Sequence, residues 1–250
     1  MNGAERFLGR AEDYSLARPG YPAPLLPLLR EKHGIEAGSR VADVGSGTGL
    51  LSRLLLRSGA TVYGVEPNPE MRAIAERELA EEHSFVSLNG AAEDLPFDDA
   101  VLDLIACGQS FHWFDPDRAR EEFSRTLHGL GLVMLLWNNL DDSDEGVSEA
   151  VLSILREAED GKVRGLIKES LELRKWYASG TYQSSVMKHT HFLQLDQVIP
   201  YARSRSYWPD PSSEQGVDLE RRLLEAVAPY VIKDQVALRV SCEVHIGQLG

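Results

Sequence analysis

The sequence predicts an α/β protein built on a doubly wound, mostly parallel seven-stranded sheet, with an antiparallel edge strand and a helical cover. Three observations predict this fold. Short apolar runs alternate with longer amphipathic runs between residues 40 and 137, as in parallel strands joined by crossover helices. A turn with three glycines follows the first apolar run. Two further strand-like runs near the carboxyl terminus can complete the edge of the sheet.

The central elements follow one another in order. Strands are predicted at RVADVG, TVYGVE, SFVSLNG, VLDLIAC and GLVMLLWN, the last being apolar throughout, like a strand buried on both faces. Helices are predicted at TGLLSRLLLRSG, NPEMRAIAERELAEEH and DPDRAREEFSRTLHGL. Asn68 and Asp115 are expected to cap the second and third helices, because each precedes a proline suited to the first helical turn.

The flanking regions are predicted with a different character. The prolines of YSLARPGYPAPLLPLL favour an ordered arm over a long helix. Helices are expected at SEAVLSILREAED and VDLERRLLEAVAPY, and strands at HTHFLQL and QVALRVSCEVHIG. The chain is therefore divided into an arm and cap (1–39), a ligand-binding core (40–140), a helical cover (141–189) and carboxy-terminal strands and helix that complete the sheet (190–250).

Composition restricts the class of protein. The 250 residues, 43% of them apolar, can form one sizeable core. A formal net charge of -13 disfavours nucleic-acid binding, so small-molecule partners are expected. No apolar run is long enough to span a membrane, and the amino terminus lacks the features of a signal peptide, so a cytoplasmic location is expected. Cys107 and Cys242 suggest no disulfide, and Asp141 with Asp142 lacks the further ligands that a metal site needs.

The glycine turn VADVGSGTGL is the most informative stretch. A dinucleotide site of the G-x-G-x-x-G type would place its third glycine where this chain has Leu50, and a P-loop would need Gly-Lys-Ser/Thr. Asp43 precedes the turn, where a carboxylate would disfavour pyrophosphate but could receive a cationic amino group. The pattern therefore favours a cofactor that bears an amino acid.

Two downstream segments support a nucleoside-containing cofactor. Glu66 ends the second strand about twenty residues after the first glycine, at the position from which a carboxylate accepts hydrogen bonds from ribose hydroxyls. The small residues of LNGAAEDLPF follow the third strand and would bring backbone groups against an adenine ring.

On these motifs the sequence resembles the class I S-adenosylmethionine-dependent methyltransferases, which have a Rossmann-like fold. VADVGSGTG, VEPNPEM and AAEDLPF match their cofactor motifs in order, and YSLARPGYP, GQSFHWFD and WNNLDD resemble the small-molecule group that includes trans-aconitate-type enzymes. The resemblance implies methyl transfer from S-adenosyl-L-methionine to a small organic acceptor. It places Gly45 and Gly47 at the methionine part, Glu66 at the ribose, and Ala92 with Glu93 near the adenine.

Candidate site residues follow from the strand ends and from this resemblance. The cofactor-binding candidates are Tyr14, Arg18, Asp43, Gly45, Ser46, Gly47, Glu66, Pro67, Met71, Ala92, Glu93 and Cys107. The catalytic candidates are His112 and Gln109, and the substrate candidates are Trp113, Trp137, Asn138, Arg203 and Arg205. Arg203 and Arg205 are expected on one face of an extended segment. No metal ligand set is predicted.

Several alternatives stay open at this point. His112 is either a general base or a structural histidine near the helix that begins after Asp115. Tyr14, Arg18 and Tyr21 either anchor the arm or close it over the cofactor. An NAD-dependent oxidoreductase on the same fold and a cofactor-binding regulatory protein without turnover are the rival functions. The acceptor, the atom that is methylated and the oligomeric state are not specified by the sequence.

Overall fold

The computed structural model describes residues 11–143, 145–159 and 173–250. Its centre is one seven-stranded sheet in the order β3-β2-β1-β4-β5-β7-β6. The strands are β1 (Arg40–Val44), β2 (Thr61–Val65), β3 (Phe85–Leu88), β4 (Leu102–Gly108), β5 (Leu127–Leu140), β6 (Gln183–Gln194) and β7 (Gln235–Gly247). β1 to β5 run parallel, whereas β7 pairs antiparallel with both β5 and β6. The predicted fold class is confirmed.

Helices cover both faces of the sheet. They are α1 (Ala11–Ala17), α2 (Leu25–Pro27, continued by a π-helical turn at Leu28–Lys32), α3 (Leu50–Leu56), α4 (Pro69–Glu78), α5 (Pro116–Thr126), α6 (Val147–Glu159), α7 (Val198–Arg203) and α8 (Glu214–Val227). Asn68 and Asp115 cap α4 and α5 as predicted, each accepting backbone N–H bonds from the first turn. α2 and α3 pack on one face and α5 on the other.

The position of β1 determines where a ligand can bind. β1 is hydrogen-bonded to β2 on one side and to β4 on the other, with Asp43 opposite Gly64 and Ala106. The crossover connections diverge between β1 and β4, so the carboxyl ends of these strands leave a crevice of the kind in which open α/β sheets bind ligands.

Two element boundaries differ from the sequence prediction. The helix predicted to continue to Leu130 ends at Thr126, and Leu127 already begins β5 opposite Leu102 of β4. Gly129 and Gly131 lower the helix propensity of this stretch, so strand pairing prevails. β6 begins at Gln183, so the predicted boundary between residues 189 and 190 falls inside a strand. Within the predicted helical cover, α6 is present, and residues 160–172 lie outside the described residues.

The conformation of the segment around Arg203 and Arg205 also differs from the sequence prediction. It is not extended: Arg203 is the last residue of α7, and the chain continues in turns that place the Arg205 N–H on the Ala202 carbonyl. The two arginines therefore do not share the face of a strand. The extended prediction is wrong because Ser204 and Ser206 interrupt the helical periodicity of this stretch.

Candidate cofactor and active site

A cavity of about 300 Å³ opens at the carboxyl ends of β1, β2 and β4. Most of the predicted site residues line it: Tyr14, Arg18, Asp43, Gly45, Ser46, Gly47, Glu66, Pro67, Met71, Ala92, Glu93, Gln109, Trp113 and Asn138. Further lining residues that were not among the candidates include Tyr21, Asn68, Gly108, Ser110 and Phe114. The fold thus brings together residues from the arm, the glycine turn and the carboxyl-terminal parts of β1 to β5.

The glycine turn is shaped by two different constraints. Gly45 has φ +68°, and a Cβ there would lie 2.5 Å from the Cβ of Ser110, so the turn approaches the end of β4 too closely for a side chain. Gly47 has φ +56°, and a Cβ there would meet nothing within 4 Å. Because Gly47 lines the cavity, a side chain at this position would enter the space available to a ligand.

Glu66 joins the end of β2 to this turn. Its Oε2 accepts the N–H of Gly47 and its Oε1 accepts the N–H of Asn68, each at 2.9 Å. Burial raises the pKa of Glu66, and the two N–H bonds oppose that shift. Since a carboxylate accepts about four hydrogen bonds, each oxygen retains capacity for a hydroxyl group of a ligand.

Asp43 is the buried acid at the end of β1. Its Oδ2 accepts from the Ser52 hydroxyl at 2.6 Å, whereas its buried Oδ1 has no hydrogen-bond partner. Burial raises the pKa of Asp43 to about 7. A buried carboxylate oxygen without a partner is costly, and a cationic or hydrogen-bonding ligand group would satisfy it. This orphaned oxygen fits the amino group of an amino-acid-bearing cofactor.

The segment after β3 forms the adjoining wall. Gly90, Ala91, Ala92 and Glu93 line the cavity. The side chain of Glu93 is already engaged, because it accepts the N–H of Asp115 at 2.7 Å at the start of α5. A flat ring in this part of the cavity would therefore meet small side chains and backbone rather than a dedicated side-chain partner.

The amino-terminal arm is held across the cavity by the carboxy-terminal half of the chain. The guanidinium of Arg18 donates to the hydroxyl of Ser204 at 2.8 Å and to its carbonyl at 3.0 Å. Asn138 on β5 donates from its amide to the carbonyl of Gly20 at 3.0 Å, and His191 on β6 lies 2.9 Å from the carbonyl of Ala17. These bonds keep Tyr14 and Arg18 against the cavity.

The two catalytic candidates occupy different positions. Gln109 lines the cavity with a left-handed backbone, φ +59°, and its amide donates to the carbonyl of Asn138 at 2.5 Å. Non-glycine residues in this conformation are often found at functional sites. His112 lies in the 3-10 turn Phe111–Trp113, outside the cavity lining. Burial lowers the pKa of His112 to about 4, with a contribution from the positive charge of Arg18.

Four other candidates also lie outside the lining. Cys107 is fully buried in β4, and burial raises the pKa of its thiol. Trp137 makes edge contacts with the rings of Phe111 and His245. Arg203 forms an ion pair with Glu220 at 2.7 Å, and Arg205 donates to the Tyr201 hydroxyl at 2.6 Å. The substrate role expected for these two arginines therefore has no support from their positions.

The described residues show neither a metal site nor a membrane-spanning helix. Residues 11–143, 145–159 and 173–250 contain no group of three or more His, Cys, Asp or Glu side chains placed to hold a metal ion. Asp141 instead forms an ion pair with Lys188 at 2.8 Å, and the hydrogen bond from Lys188 lowers its pKa to about 2. Across the same part of the chain, each helix is too short or too polar to cross a membrane.

Sequence comparison identifies the family. Residues 42–135 match the family described as "Methyltransferase domain". An uncharacterized methyltransferase of Mycobacterium tuberculosis is 32% identical over 194 residues, which cover 78% of this chain and 74% of the relative. An uncharacterized methyltransferase of Schizosaccharomyces pombe is 32% identical over 132 residues, covering 52% of this chain and 51% of the relative.

Solved structures agree with the fold. A putative type II methyltransferase from Anaeromyxobacter dehalogenans matches with a TM-score of 0.62 at 19% identity, over 92% of this chain and 97% of that one. The matched domain includes the glycine turn and Glu66, which are joined by the hydrogen bond from the Gly47 N–H to the Glu66 carboxylate. The chain belongs to the class I S-adenosylmethionine-dependent methyltransferases.

Proposed function

We propose that this protein transfers a methyl group from S-adenosylmethionine to a small organic acceptor that is already ionised, with a carboxylate as the preferred class. Two observations support the acceptor class: the charge that Arg18 brings to the cavity, and the position of His112 outside the cavity lining. The first carries the proposal.

Arg18 is the only basic side chain among the described residues that line the cavity. Its two hydrogen bonds go to uncharged oxygens of Ser204, and its guanidinium lies 4.9 Å from the centre of the Tyr14 ring. Within the described part of the chain no carboxylate forms an ion pair with Arg18. Burial lowers the pKa of Arg18, and the nearby Arg205 lowers it further. An anionic ligand group would offset both effects through charge-assisted hydrogen bonds.

The acidic residues of the cavity fit the cofactor instead. Asp43 offers a free oxygen for an ammonium group, Glu66 offers oxygens for ribose hydroxyls, and Gly47 leaves open space beside them. When bound, S-adenosylmethionine supplies a methyl group on a cationic sulfur. The reaction therefore depends mainly on aligning the acceptor nucleophile with the methyl carbon. The protein therefore contributes position and a dry environment.

Among the described residues that line the cavity there is no histidine to act as a general base for an acceptor that must lose a proton. His112 lies outside the lining, and a histidine with a pKa of about 4 is a weak base at neutral pH. The carboxylate of Glu93 is engaged at the start of α5. An acceptor that arrives ionised needs no proton abstraction, and a carboxylate has this property at neutral pH.

The arm supports a small acceptor. Tyr14, Arg18, Pro19 and Tyr21 form one wall of the cavity, and Asn138 binds the arm from the opposite side. This wall would exclude water from the sulfonium and limit the size of an acceptor. The net charge of -13 also favours a small molecule over nucleic acid as the partner.

The test is a screen for methyl transfer. Wild-type protein is incubated with S-adenosylmethionine and panels of small carboxylic acids, phenols and amines, and both S-adenosylhomocysteine and the methylated product are measured by mass spectrometry. Methyl esters of carboxylic acids are the expected products. Methylation confined to amines or phenols would overturn the proposed acceptor class.

The variant Arg18→Gln then tests whether Arg18 binds the acceptor. The acceptor KM is expected to rise about tenfold or more, while the Kd for S-adenosylhomocysteine stays within twofold of wild type. Arg30→Gln, at an exposed arginine outside the cavity, serves as the control. A selective loss of S-adenosylhomocysteine affinity in Arg18→Gln would assign Arg18 to the cofactor carboxylate instead.

A further inference from the structure

We propose that the hydroxyl of Tyr21 binds the ammonium group of the cofactor, sharing it with the Oδ1 atom of Asp43. The inference rests on S-adenosylmethionine binding in the cavity, and it gives a residue of the arm a direct role in cofactor recognition. Neither the glycine turn nor the strand ends suggest such a role for Tyr21.

The position of Tyr21 is fixed by close contact with the end of β4. A Cβ atom built on Gly108 would lie 2.2 Å from the Tyr21 hydroxyl oxygen and 2.8 Å from the ring carbon that carries it. The hydroxyl can therefore lie against the backbone at the end of β4 only because position 108 is a glycine. Both residues line the cavity.

The hydroxyl and the nearby carboxylate both have unused hydrogen-bonding capacity. Among the described residues the Tyr21 hydroxyl has no protein hydrogen-bond partner, although it lines a partly buried cavity. Tyr21 and Asp43 line the same cavity, and the negative charge of Asp43 contributes to the raised pKa of Tyr21, after the larger effects of burial and of Tyr14. Asp43 Oδ1 is buried and also without a partner.

An ammonium group is the ligand chemistry that satisfies both atoms. It has three donors and no acceptor, so it requires oxygen lone pairs around it. A carboxylate oxygen and a phenol oxygen both provide them. A carboxylate of the ligand at the same place would instead be repelled by Asp43 when that group is ionised.

The sequence around Tyr21 holds the side chain in place. Pro19 and Pro22 restrict the backbone on either side, and the carbonyl of Gly20 accepts from the Asn138 amide at 3.0 Å. The carbonyl of Pro22 accepts the N–H of Leu25 at 3.0 Å at the start of α2. The hydroxyl is therefore preorganised before the ligand arrives, which reduces the entropy lost on binding.

The experiment combines one conservative variant with changes in the ligand. Calorimetric titrations compare wild type and Tyr21→Phe with S-adenosylhomocysteine, with its analogue in which hydrogen replaces the α-amino group, and with its decarboxylated analogue. Tyr230→Phe is the control, because Tyr230 is 40% exposed and lies outside the cavity lining. Thermal melting verifies that each variant is folded.

Tyr21→Phe is expected to weaken binding of S-adenosylhomocysteine and of the decarboxylated analogue about tenfold to a hundredfold. Binding of the deaminated analogue should change less than twofold, because the group that Tyr21 contacts is missing. Gly108→Ala should reproduce this pattern, since its methyl group would displace the hydroxyl.

Three results would overturn the inference. Unchanged affinity of Tyr21→Phe for S-adenosylhomocysteine would remove Tyr21 from cofactor binding. An equal loss with the deaminated analogue would refute the ammonium contact, and a loss that disappears only with the decarboxylated analogue would assign Tyr21 to the carboxylate. Failure of wild type to bind S-adenosylhomocysteine would instead contradict the proposed function itself.

Discussion

The carboxylate of Glu66 accepts the backbone N–H of Gly47 at 2.9 Å, so the end of β2 is bonded directly to the glycine turn after β1. One side chain thus has two functions. It fixes the turn whose open side faces the cavity, and it presents its remaining lone pairs to a ligand. The turn and the acid form one structural unit, although 19 residues separate them in the chain.

Glu66→Ala should weaken S-adenosylhomocysteine binding by at least a hundredfold. Two charge-assisted hydrogen bonds to the ribose would be lost, each worth about 1.5 to 3 kcal/mol. Titration calorimetry measures the effect, with Glu81→Ala at an exposed position outside the cavity as the control. Affinity within twofold of wild type would refute the assignment of Glu66 to the ribose.

Gly47→Val should abolish cofactor binding while the protein remains folded. The side chain would enter open cavity space, and it would also be strained because φ is +56°. Gly34→Val separates these effects, since Gly34 has φ +66° and equally open surroundings but lies outside the cavity. Both variants should lose thermal stability, and only Gly47→Val should lose binding in calorimetry. Normal binding by Gly47→Val would mean that the turn does not contact the ligand.

Cofactor affinity should increase with pH up to about pH 7. In the free protein burial raises the pKa of Asp43 to about 7, so below that pH the group is protonated and must release its proton to receive an ammonium. Titrations at pH 5.5 to 8 in buffers of different ionisation enthalpy measure both the affinity and the proton release. Asp43→Asn should bind more weakly and lose this pH dependence. Proton uptake on binding by wild type would contradict the sign of the effect.

The same shift predicts how the free protein responds to pH. Because the folded-state pKa of Asp43 lies above its unfolded value of 3.8, stability from this group is present below pH 3.8 and is lost as the pH rises through about 7. Asp43→Asn removes the ionisation. The melting temperature of the variant relative to wild type should therefore rise between pH 5 and pH 8. A constant difference would mean that Asp43 titrates at its ordinary pKa.

His112→Gln should leave cofactor affinity unchanged and lower turnover less than tenfold. The residue lies outside the cavity lining, and its pKa of about 4 leaves it neutral throughout the physiological range. The pH–rate profile of wild type should accordingly show no limb near pH 6.5 that disappears in the variant. A hundredfold loss of turnover together with such a limb would restore His112 as a general base.

The features predicted correctly from the sequence are those with a local signature. The glycine turn, the cap of α4 at Asn68 and the acid at the end of β2 each lie within a few residues of a strand end. Parallel strands bring their carboxyl ends to the same edge of the sheet, so the order of these motifs was enough to predict a common site.

The remaining features depend on contacts between distant parts of the chain. Arg18 and Ser204 are separated by 186 residues, and no local pattern indicates their hydrogen bond. The place of His112 after β4 makes it a catalytic candidate, but the direction of the 3-10 turn that holds it is determined by tertiary packing, which leaves it outside the cavity lining. The Tyr21 hydroxyl lies where a side chain at position 108 would be, so its position depends on a glycine that is distant in the chain. The RPGYP motif was a signal for the arm without showing which of its residues faces the cavity.

The most direct test of the account is a calorimetric titration of the wild-type protein with S-adenosylmethionine, S-adenosylhomocysteine and NAD. The arrangement of Asp43, Gly47 and Glu66 predicts saturable binding of both sulfur-containing ligands at one site per chain, and no saturable binding of NAD. Saturable binding of NAD, or the absence of binding by S-adenosylmethionine and S-adenosylhomocysteine, would contradict the assignment of this cavity.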